Sequence, residues 1–422
     1  MALTDAPGVA TPALAALADP AVLPDPYPVL AALREASPFT AADGALMVIG
    51  RHEDCSQVLR DPRSSSERGR SRLAPAGIRE QRAPSFLSLD PPDHTRLRRL
   101  VSKAFAPRVI ADLAPRIREV CDDLLSAAAP DRPGRLEVVS QLACPLPLRI
   151  ISELLGVPAE DRSRFAGWSA SLARSLQPQF AAADPALVSP SAGTADARQA
   201  RLEFAGYFRE LIAARRGRPA RDLLSELIRA EEDGQHLSEQ ELIATCVLLL
   251  VAGHETTVGL ISNAILALLR HPRQLDALRA DPGLAAGAVE ETLRYDAPVQ
   301  LTARIARGSL AVGPACAPDG AALLLLLAAT GRDPRVFADP DRFDIRRRSG
   351  GHLAFAAGPH FCLGAPLARL EATIAVQAFA TRVADPELDP AVLAYKPNLN
   401  LRGPSRLVVG FTAVRPGAGP SG

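Results

Sequence analysis

The sequence lacks an excess of charge of either sign. Its 422 residues carry 48 Lys and Arg against 47 Asp and Glu, which leaves a formal net charge of +1. A chain this close to neutral has no overall field for nucleic acid or an anionic membrane, so we expect neither as a partner. It also begins without the basic and apolar stretch of a signal peptide, and its longest apolar runs, 242–252 and 321–329, are too short to span a bilayer. These absences predict a soluble, cytoplasmic protein.

Cysteine pairs are missing as well. The six cysteines lie at positions 55, 121, 144, 246, 316 and 362, with no C-x-x-C spacing among them. This pattern argues against a zinc ribbon and against a disulfide framework. Five of the six are expected to be small hydrophobes, which is the usual state of a free cysteine. Cys362 is the exception, because of the loop in which it lies.

Helical patterns dominate the chain, and no Gly/Ser linker or internal repeat divides it. Helices are predicted at 94–105, 109–128, 140–154, 197–215, 238–270, 284–295 and 364–383. Strands are predicted near 45–49, 299–306, 308–313, 322–327 and 406–412. We therefore expect a single domain spanning 1–422, mainly α with a minor β portion (α+β), with loose ends at 1–20 and 414–422. A monomer is the expected state.

The longest predicted helix, 238–270, has polar residues in its middle. It begins with a capping box formed by Ser238 and Glu241. At 1.5 Å per residue it would be about 48 Å long, enough to cross the whole molecule. Its centre is Ala252-Gly-His-Glu-Thr-Thr257, and buried polar groups without partners are costly. For Gly253 alone a packing role is the simpler interpretation, whereas for the whole segment we favour a functional site.

Cys362 lies in a short loop of small residues. The segment is Phe355-Ala-Ala-Gly-Pro-His-Phe-Cys-Leu-Gly364, directly before a predicted helix. Small residues let the backbone approach a flat ligand closely, and a helix N-terminus stabilises a thiolate. A single thiolate in such a loop suits axial ligation of haem iron. The alternative, a nucleophilic Cys362 with His360 as its base, is weaker because an i, i+2 pair on a constrained loop need not meet.

Motifs along nearly the whole chain resemble those of the bacterial cytochromes P450, which are haem-thiolate monooxygenases. Besides the two segments above, the matches in family order are Asp90-Pro-Pro-Asp-His94-Thr-Arg-Leu-Arg98, Glu291-Thr-Leu-Arg294, Arg304, Arg332-Asp-Pro334 and Pro340-Asp-Arg-Phe343. Each pattern is weak by itself, but their common order and spacing are specific. The resemblance implies the P450 fold, with the long central helix over haem b. Ala356 and Gly331 stand where the family usually has glycine and asparagine, and neither departure removes a chemical group.

The resemblance also implies which residues hold the haem. Cys362 would be the axial ligand of the iron, and Phe355 would pack beside the thiolate. Gly358 and Gly364 would shape the loop. The haem propionates, two carboxylates that need cationic donors, would be held by His94, Arg98, Arg304 and His360. A buried structural triad would consist of Glu291, Arg294 and Arg342.

The central helix would supply the catalytic residues. Glu255 and Thr256 would deliver protons to the distal oxygen, since an acid beside a hydroxyl can do so without flooding the site with water. The residues expected to line the substrate pocket are Leu248, Ala252, Gly253, Val299, Gln300, Leu301 and Leu399. This largely apolar lining predicts an apolar, medium-to-large substrate in natural-product biosynthesis, hydroxylated or epoxidised with O₂.

Electrons would come from a separate ferredoxin served by its own reductase, as the resemblance implies. On the helix near His94, the residues Arg96, Arg99 and Lys103 lie opposite the pair that would face the propionates, and they form a candidate docking stripe for an acidic partner. The alternative function is a haem-binding sensor or a non-catalytic helper on the same fold. A sensor could dispense with Glu255 and Thr256, and a helper with the cysteine. Because all three are present, the enzyme is favoured.

Overall fold

The computed structural model describes residues 13–74, 85–128, 133–175, 194–232, 234–348 and 350–417. Helices make up most of these residues, which confirms the prediction of a mainly α fold. In chain order they are α1 (Tyr27–Ala36), α2 (His52–Arg60), α3 (Asp93–Ser102), α4 (Pro107–Ala111), α5 (Ala114–Ala128), α6 (Pro145–Leu154), α7 (Arg162–Ser175), α8 (Thr194–Gly217), α9 (Leu223–Arg229), α10 (Glu239–Arg270), α11 (Pro272–Ala280), α12 (Ala285–Tyr295), α13 (Leu327–Thr330) and α14 (Ala365–Arg382). The helix predicted at 94–105 ends at Ser102, because the chain tightens into a 3-10 turn at Lys103–Phe105 before a proline.

Short strands form the minor β portion. They are β1 (Phe39–Ala41), β2 (Leu46–Ile49), β3 (Ser64–Ser65), β4 (Gly134–Glu137), β5 (Glu231–Glu232), β6 (Gln235–His236), β7 (Thr302–Ala306), β8 (Leu310–Val312), β9 (Ala315–Ala317), β10 (Ala322–Leu325), β11 (Val383–Ala384), β12 (Glu387–Leu388), β13 (Ala394–Tyr395), β14 (Pro404–Arg406), β15 (Val408–Phe411) and β16 (Ala413–Val414). The largest sheet has the order β1-β2-β10-β7-β3. In it, Arg304 of β7 pairs with Leu323 of β10, which fixes where that arginine enters the site.

Helix α10 begins with the predicted capping box. The backbone N–H of Glu241 donates to Ser238 Oγ at 3.2 Å, and the Glu241 carboxylate accepts from the Ser238 N–H at 2.8 Å. Both bonds satisfy donors that a helix start leaves open. Among the described residues, α10 is the one helix long and apolar enough to cross a membrane, and 56% of its most apolar stretch is buried inside the protein. Such burial is typical of a core helix.

The apolar residues form three clusters. The largest packs α10 against the neighbouring helices, the second joins the N-terminal segment to the main sheet, and the third lies between that sheet and the Cys362 loop. The predicted loose ends are partly wrong. Residues 1–12 and 418–422 lie outside the described residues, but Leu14, Leu17 and Val414 are buried, since each fills an apolar cluster.

Candidate active site

The Cys362 loop joins a 3-10 turn that begins at Gly358 to the start of α14. The Cys362 N–H donates to the carbonyl oxygen of Phe355 at 3.0 Å. Gly358 has a φ of +68°, and a Cβ there would lie 2.3 Å from the carbonyl oxygen of Leu59, so this position needs glycine. At Gly364 an added Cβ would meet no atom within 4 Å. The loop is therefore tightly held at its first glycine and open at its second.

Cys362 is exposed to solvent, although many protein atoms surround its sulfur. Burial raises the pKa of this thiol. Hydrogen bonds from the N–H groups of Gly364 and Ala365 and the positive charges of Arg98 and Arg369 oppose that effect. A metal cation at the exposed side would supply the charge that favours the thiolate. The loop is therefore suited to hold a metal through one sulfur ligand.

The rings of the two predicted histidines lie against each other, tilted by 37°. The rings of His94, on α3, and His360 have centroids 4.1 Å apart. His94 is 2% exposed, and neither of its ring nitrogens has a hydrogen-bond partner in the described part of the chain. Burial and the neighbouring charges of Arg304, His94 and Arg98 lower the pKa of His360 to about 3. Buried polar groups without partners are costly, so His94 calls for a polar ligand.

Two predicted arginines lie with the histidines. Arg98 Nη2 donates to the carbonyl oxygen of Phe361 at 2.5 Å, next to the cysteine. Burial and the charge of Arg68 lower the pKa of Arg304 to about 10, while the charge of Asp90 opposes this shift. Sequence reasoning did not find Arg68, because it belongs to an arginine-rich stretch that matches no motif.

These side chains fit haem b. Buried groups of like charge destabilise one another unless an anion joins them, and two propionates supply that anion. The guanidinium groups of Arg98 and Arg304 and the rings of His94 and His360 lie close enough for their charges to interact, and the single thiol lies in the same loop as His360. A flat ligand with two carboxylates and a thiolate-binding metal matches this set of donors.

Helix α10 carries the predicted proton donors at its middle. Thr256 Oγ1 donates to the carbonyl oxygen of Ala252 at 2.6 Å. The Glu255 side chain is 12% exposed, and its carboxylate accepts a hydrogen bond from Lys396 Nζ at 2.7 Å. Lys396 follows β13 in the chain and was not among the predicted site residues, because nothing in the local sequence connects it to α10.

The less buried face of α10 is largely apolar. Leu248, Ala252 and Thr256 are half-buried or exposed, within a helix that is otherwise mostly buried. Because residues four apart share a helix face, they form one strip that ends in a hydroxyl. Gly253, also predicted to line the pocket from this helix, is half-buried. A Cβ at this position would meet only Ile151 of α6, at 3.9 Å, so there is open space beside the glycine and its place in the pocket stays a prediction.

Three further predicted pocket residues lie elsewhere. Leu301 is buried in the second apolar cluster, and Leu399 packs against it. The amide of Gln300 donates to a neighbouring backbone carbonyl at 2.6 Å. These three residues line a crevice beneath the N-terminal segment, and no residue of α10 or of the Cys362 loop lines that crevice. Their assignment to the substrate pocket stays a prediction, and Val299 packs against the third cluster, beside the Cys362 loop.

The predicted triad is correct in two of its three members. Arg294 binds Glu291 through two hydrogen bonds of 2.8 Å, and both side chains are fully buried. The side chain of Arg342 is 65% exposed and points to Asp344, 3.6 Å away. Arg347 is the third member, since its Nε donates to Glu291 at 3.1 Å. The backbone carbonyl of Arg342 does accept from Arg294, so the motif contributes its main chain and not its side chain.

Comparison with known proteins gives consistent matches. The family model described as cytochrome P450 matches residues 42–282 and 284–381. Cytochrome P450 monooxygenase PikC of Streptomyces venezuelae is 44% identical over 390 residues, which cover 90% of this chain and 89% of PikC. Vitamin D(3) 25-hydroxylase of Pseudonocardia autotrophica is 40% identical, over 91% of this chain and 93% of that protein. The ligand-free crystal structure of Mycobacterium smegmatis CYP164A2 is similar with a TM-score of 0.88 at 47% identity, over 95% of this chain and 100% of that one.

Proposed function

Because this chain belongs to the cytochrome P450 family of haem-dependent monooxygenases, we propose that it inserts one oxygen atom of O₂ into an apolar, medium-to-large molecule. The reaction would be a hydroxylation or an epoxidation in natural-product biosynthesis. The observation that carries this proposal is the apolar strip of Leu248, Ala252 and Thr256 on an otherwise buried helix. Apolar walls with a single orienting hydroxyl favour an apolar ligand. The relative named for vitamin D(3) 25-hydroxylation supports the same choice.

The residues of this chain would hold haem b as follows. Cys362 would bind the iron, and His94, Arg98, Arg304 and His360 would bind the propionates. Haem bound in this way supplies the reductive activation of O₂. Phe355 would shield the sulfur, since its carbonyl already accepts from the Cys362 N–H at 3.0 Å.

Proton delivery would rest on Thr256 and Glu255. The Thr256 hydroxyl donates to Ala252, which leaves its oxygen free to accept a proton donor from the pocket side. The carboxylate of the preceding residue, Glu255, accepts a hydrogen bond from Lys396 and would supply the protons. This arrangement lets protons reach the pocket through side chains while its apolar strip excludes bulk water.

The electron donor would be a ferredoxin with its reductase, in the cytoplasm. Of the three residues predicted to dock it, Arg96 forms an ion pair with Glu241 of α10. Its charge is therefore largely balanced within the protein. Arg99 and Lys103 are exposed, whereas Arg96 is half-buried. Arg99 and Lys103 stay the proposed docking cations because they are on the surface, where long-range attraction would guide an acidic partner.

The ligand assignment is tested by the reduced carbon monoxide complex. Wild type should show the red-shifted Soret band of thiolate ligation, Cys362→Ala should lose it, and Cys55→Ala should keep it. The substrate class is tested by titrating the oxidised protein with apolar macrolactones and terpenoids and with their glycosylated counterparts. Apolar ligands should shift the Soret band at lower concentration. Preference for the glycosylated set would contradict the proposed substrate class.

A further inference from the structure

A second carboxylate, next to the buried triad, organises the far side of the Cys362 loop. Glu290 on α12 accepts two hydrogen bonds from Arg369 of α14, at 2.6 and 3.1 Å, and a third from His352 at 3.2 Å. The other ring nitrogen of His352, Nδ1, accepts from the N–H of Ala354 at 3.3 Å. These hydrogen bonds lower the pKa of Glu290 to about 2 although burial opposes the shift. The cluster is therefore a fixed ion pair with a histidine as its third member.

This cluster lies directly behind Phe355. The Arg369 guanidinium is 4.6 Å from the centroid of the Phe355 ring, within the range of a cation–π contact. The His352 ring lies 6.1 Å from the same ring. Phe355 in turn accepts the Cys362 N–H through its carbonyl oxygen. The positive charge of Arg369 also acts on the Cys362 sulfur, where it favours the charged form.

We propose that Glu290, His352 and Arg369 are positioning residues that hold Phe355 against the thiolate, and that the Arg369 charge sets the reduction potential of the bound haem. The proposal rests on the proposed role of Cys362 as the iron ligand. Glu290 is distinct from Glu291 of the structural triad, and the motif that predicted the triad says nothing about it.

The sign of the effect follows from charge. One-electron reduction of the iron adds a negative charge at the thiolate-bound metal, and a nearby cation stabilises the more negative state. Loss of the Arg369 charge should therefore make the potential more negative. Loss of the Glu290 charge leaves Arg369 without its counterion and should make the potential more positive. Damage to packing alone would not give opposite signs for the two variants.

The experiment is a redox-dye titration of the haem-loaded protein, with wild type compared with Arg369→Gln, Glu290→Gln and the double variant. At the wild-type midpoint potential, we expect the ratio of reduced to oxidised haem to fall at least about threefold in Arg369→Gln and to rise in Glu290→Gln. The double variant should return towards wild type. Arg369→Lys, which keeps the charge, should lie close to wild type.

The matched control is Arg116→Gln, which breaks another two-pronged arginine–carboxylate pair, with Glu153, that does not touch Phe355. Its potential should equal that of wild type. Shifts of the same sign in Arg369→Gln and Glu290→Gln, or no shift in either, would overturn the proposal. The carbon monoxide spectrum tests the ligand role of Cys362 separately from the role of Arg369. If the wild-type protein lacks the thiolate Soret band, the role of Cys362 is refuted. If the band is normal but the potentials are unchanged, only the role of Arg369 is refuted.

Discussion

The ammonium of Lys396 lies 2.7 Å from the carboxylate of Glu255, so the C-terminal hairpin is bound to the catalytic turn of α10. Lys396 also lines the crevice beneath the N-terminal segment. The chain has one other lysine, Lys103, and arginine supplies nearly all of its positive charge. The Lys396 ion pair therefore couples the acid of the proposed proton path to a segment far away in sequence.

Lys396→Met should destabilise the haem-loaded protein and make the coupling of electron consumption to product formation less efficient. The Glu255 carboxylate, which is mostly buried, would lose a charged donor, at a cost of about 1–3 kcal/mol in the free energy of unfolding. The share of electrons released as peroxide should rise as well. Chemical denaturation and peroxide assays measure the two effects. Lys396→Arg, which keeps the positive charge, should be milder in both effects. Equal stability of Lys396→Met and wild type would show that the ion pair does not hold the hairpin.

Thr256→Ala should uncouple electron consumption from product formation. Without the hydroxyl, the pocket would lose the group proposed to pass on protons, and product formed per electron pair should fall by about tenfold or more. Thr257 is a matched control. Its hydroxyl donates to the carbonyl oxygen of Gly253 at 2.8 Å, as that of Thr256 does to Ala252, but the Thr257 side chain is buried. Thr257→Ala should keep its coupling. If both variants uncouple equally, the role of Thr256 is a general effect of helix packing.

The structural triad can be tested with two neighbouring arginines. Arg347→Leu removes a donor from the fully buried Glu291 carboxylate and should lower the free energy of unfolding by about 1–3 kcal/mol. Arg342→Leu changes an exposed side chain while its carbonyl still accepts from Arg294, so the change should stay within about 0.5 kcal/mol. Urea denaturation of the haem-loaded proteins measures both. The opposite ranking would restore Arg342 to the triad.

The sequence predicted those parts of the site for which one short motif contains both the functional residue and the residues that set its backbone conformation. Cys362 lies in a loop whose glycine pattern sets its path, and the capping box set the start of α10. Errors arose where the direction of a side chain decides the outcome. The third member of the triad is an example, since the side chain of Arg342 turns outward to Asp344 while that of Arg347 reaches Glu291. Arg68, Lys396 and Arg347 were missed because their partners are distant in sequence.

Glu371 on α14 should make the stability of the protein depend on pH. It is 2% exposed, its Oε1 has no hydrogen-bond partner within the described residues, and burial raises its pKa from 4.5 to about 8. A carboxyl with a higher pKa in the folded state binds its proton more tightly when the protein is folded. Its contribution to the free energy of unfolding is therefore fully present below about pH 4.5. That contribution is lost as the pH rises to about 8. Glu371→Gln cannot ionise, so it should match wild type at pH 5 and be more stable at pH 9, by a few kcal/mol as an order of magnitude. Denaturation of the haem-loaded protein between these pH values measures the difference, with the exposed Glu387→Gln as the control. A difference that stays constant across this range would show that Glu371 does not titrate on unfolding.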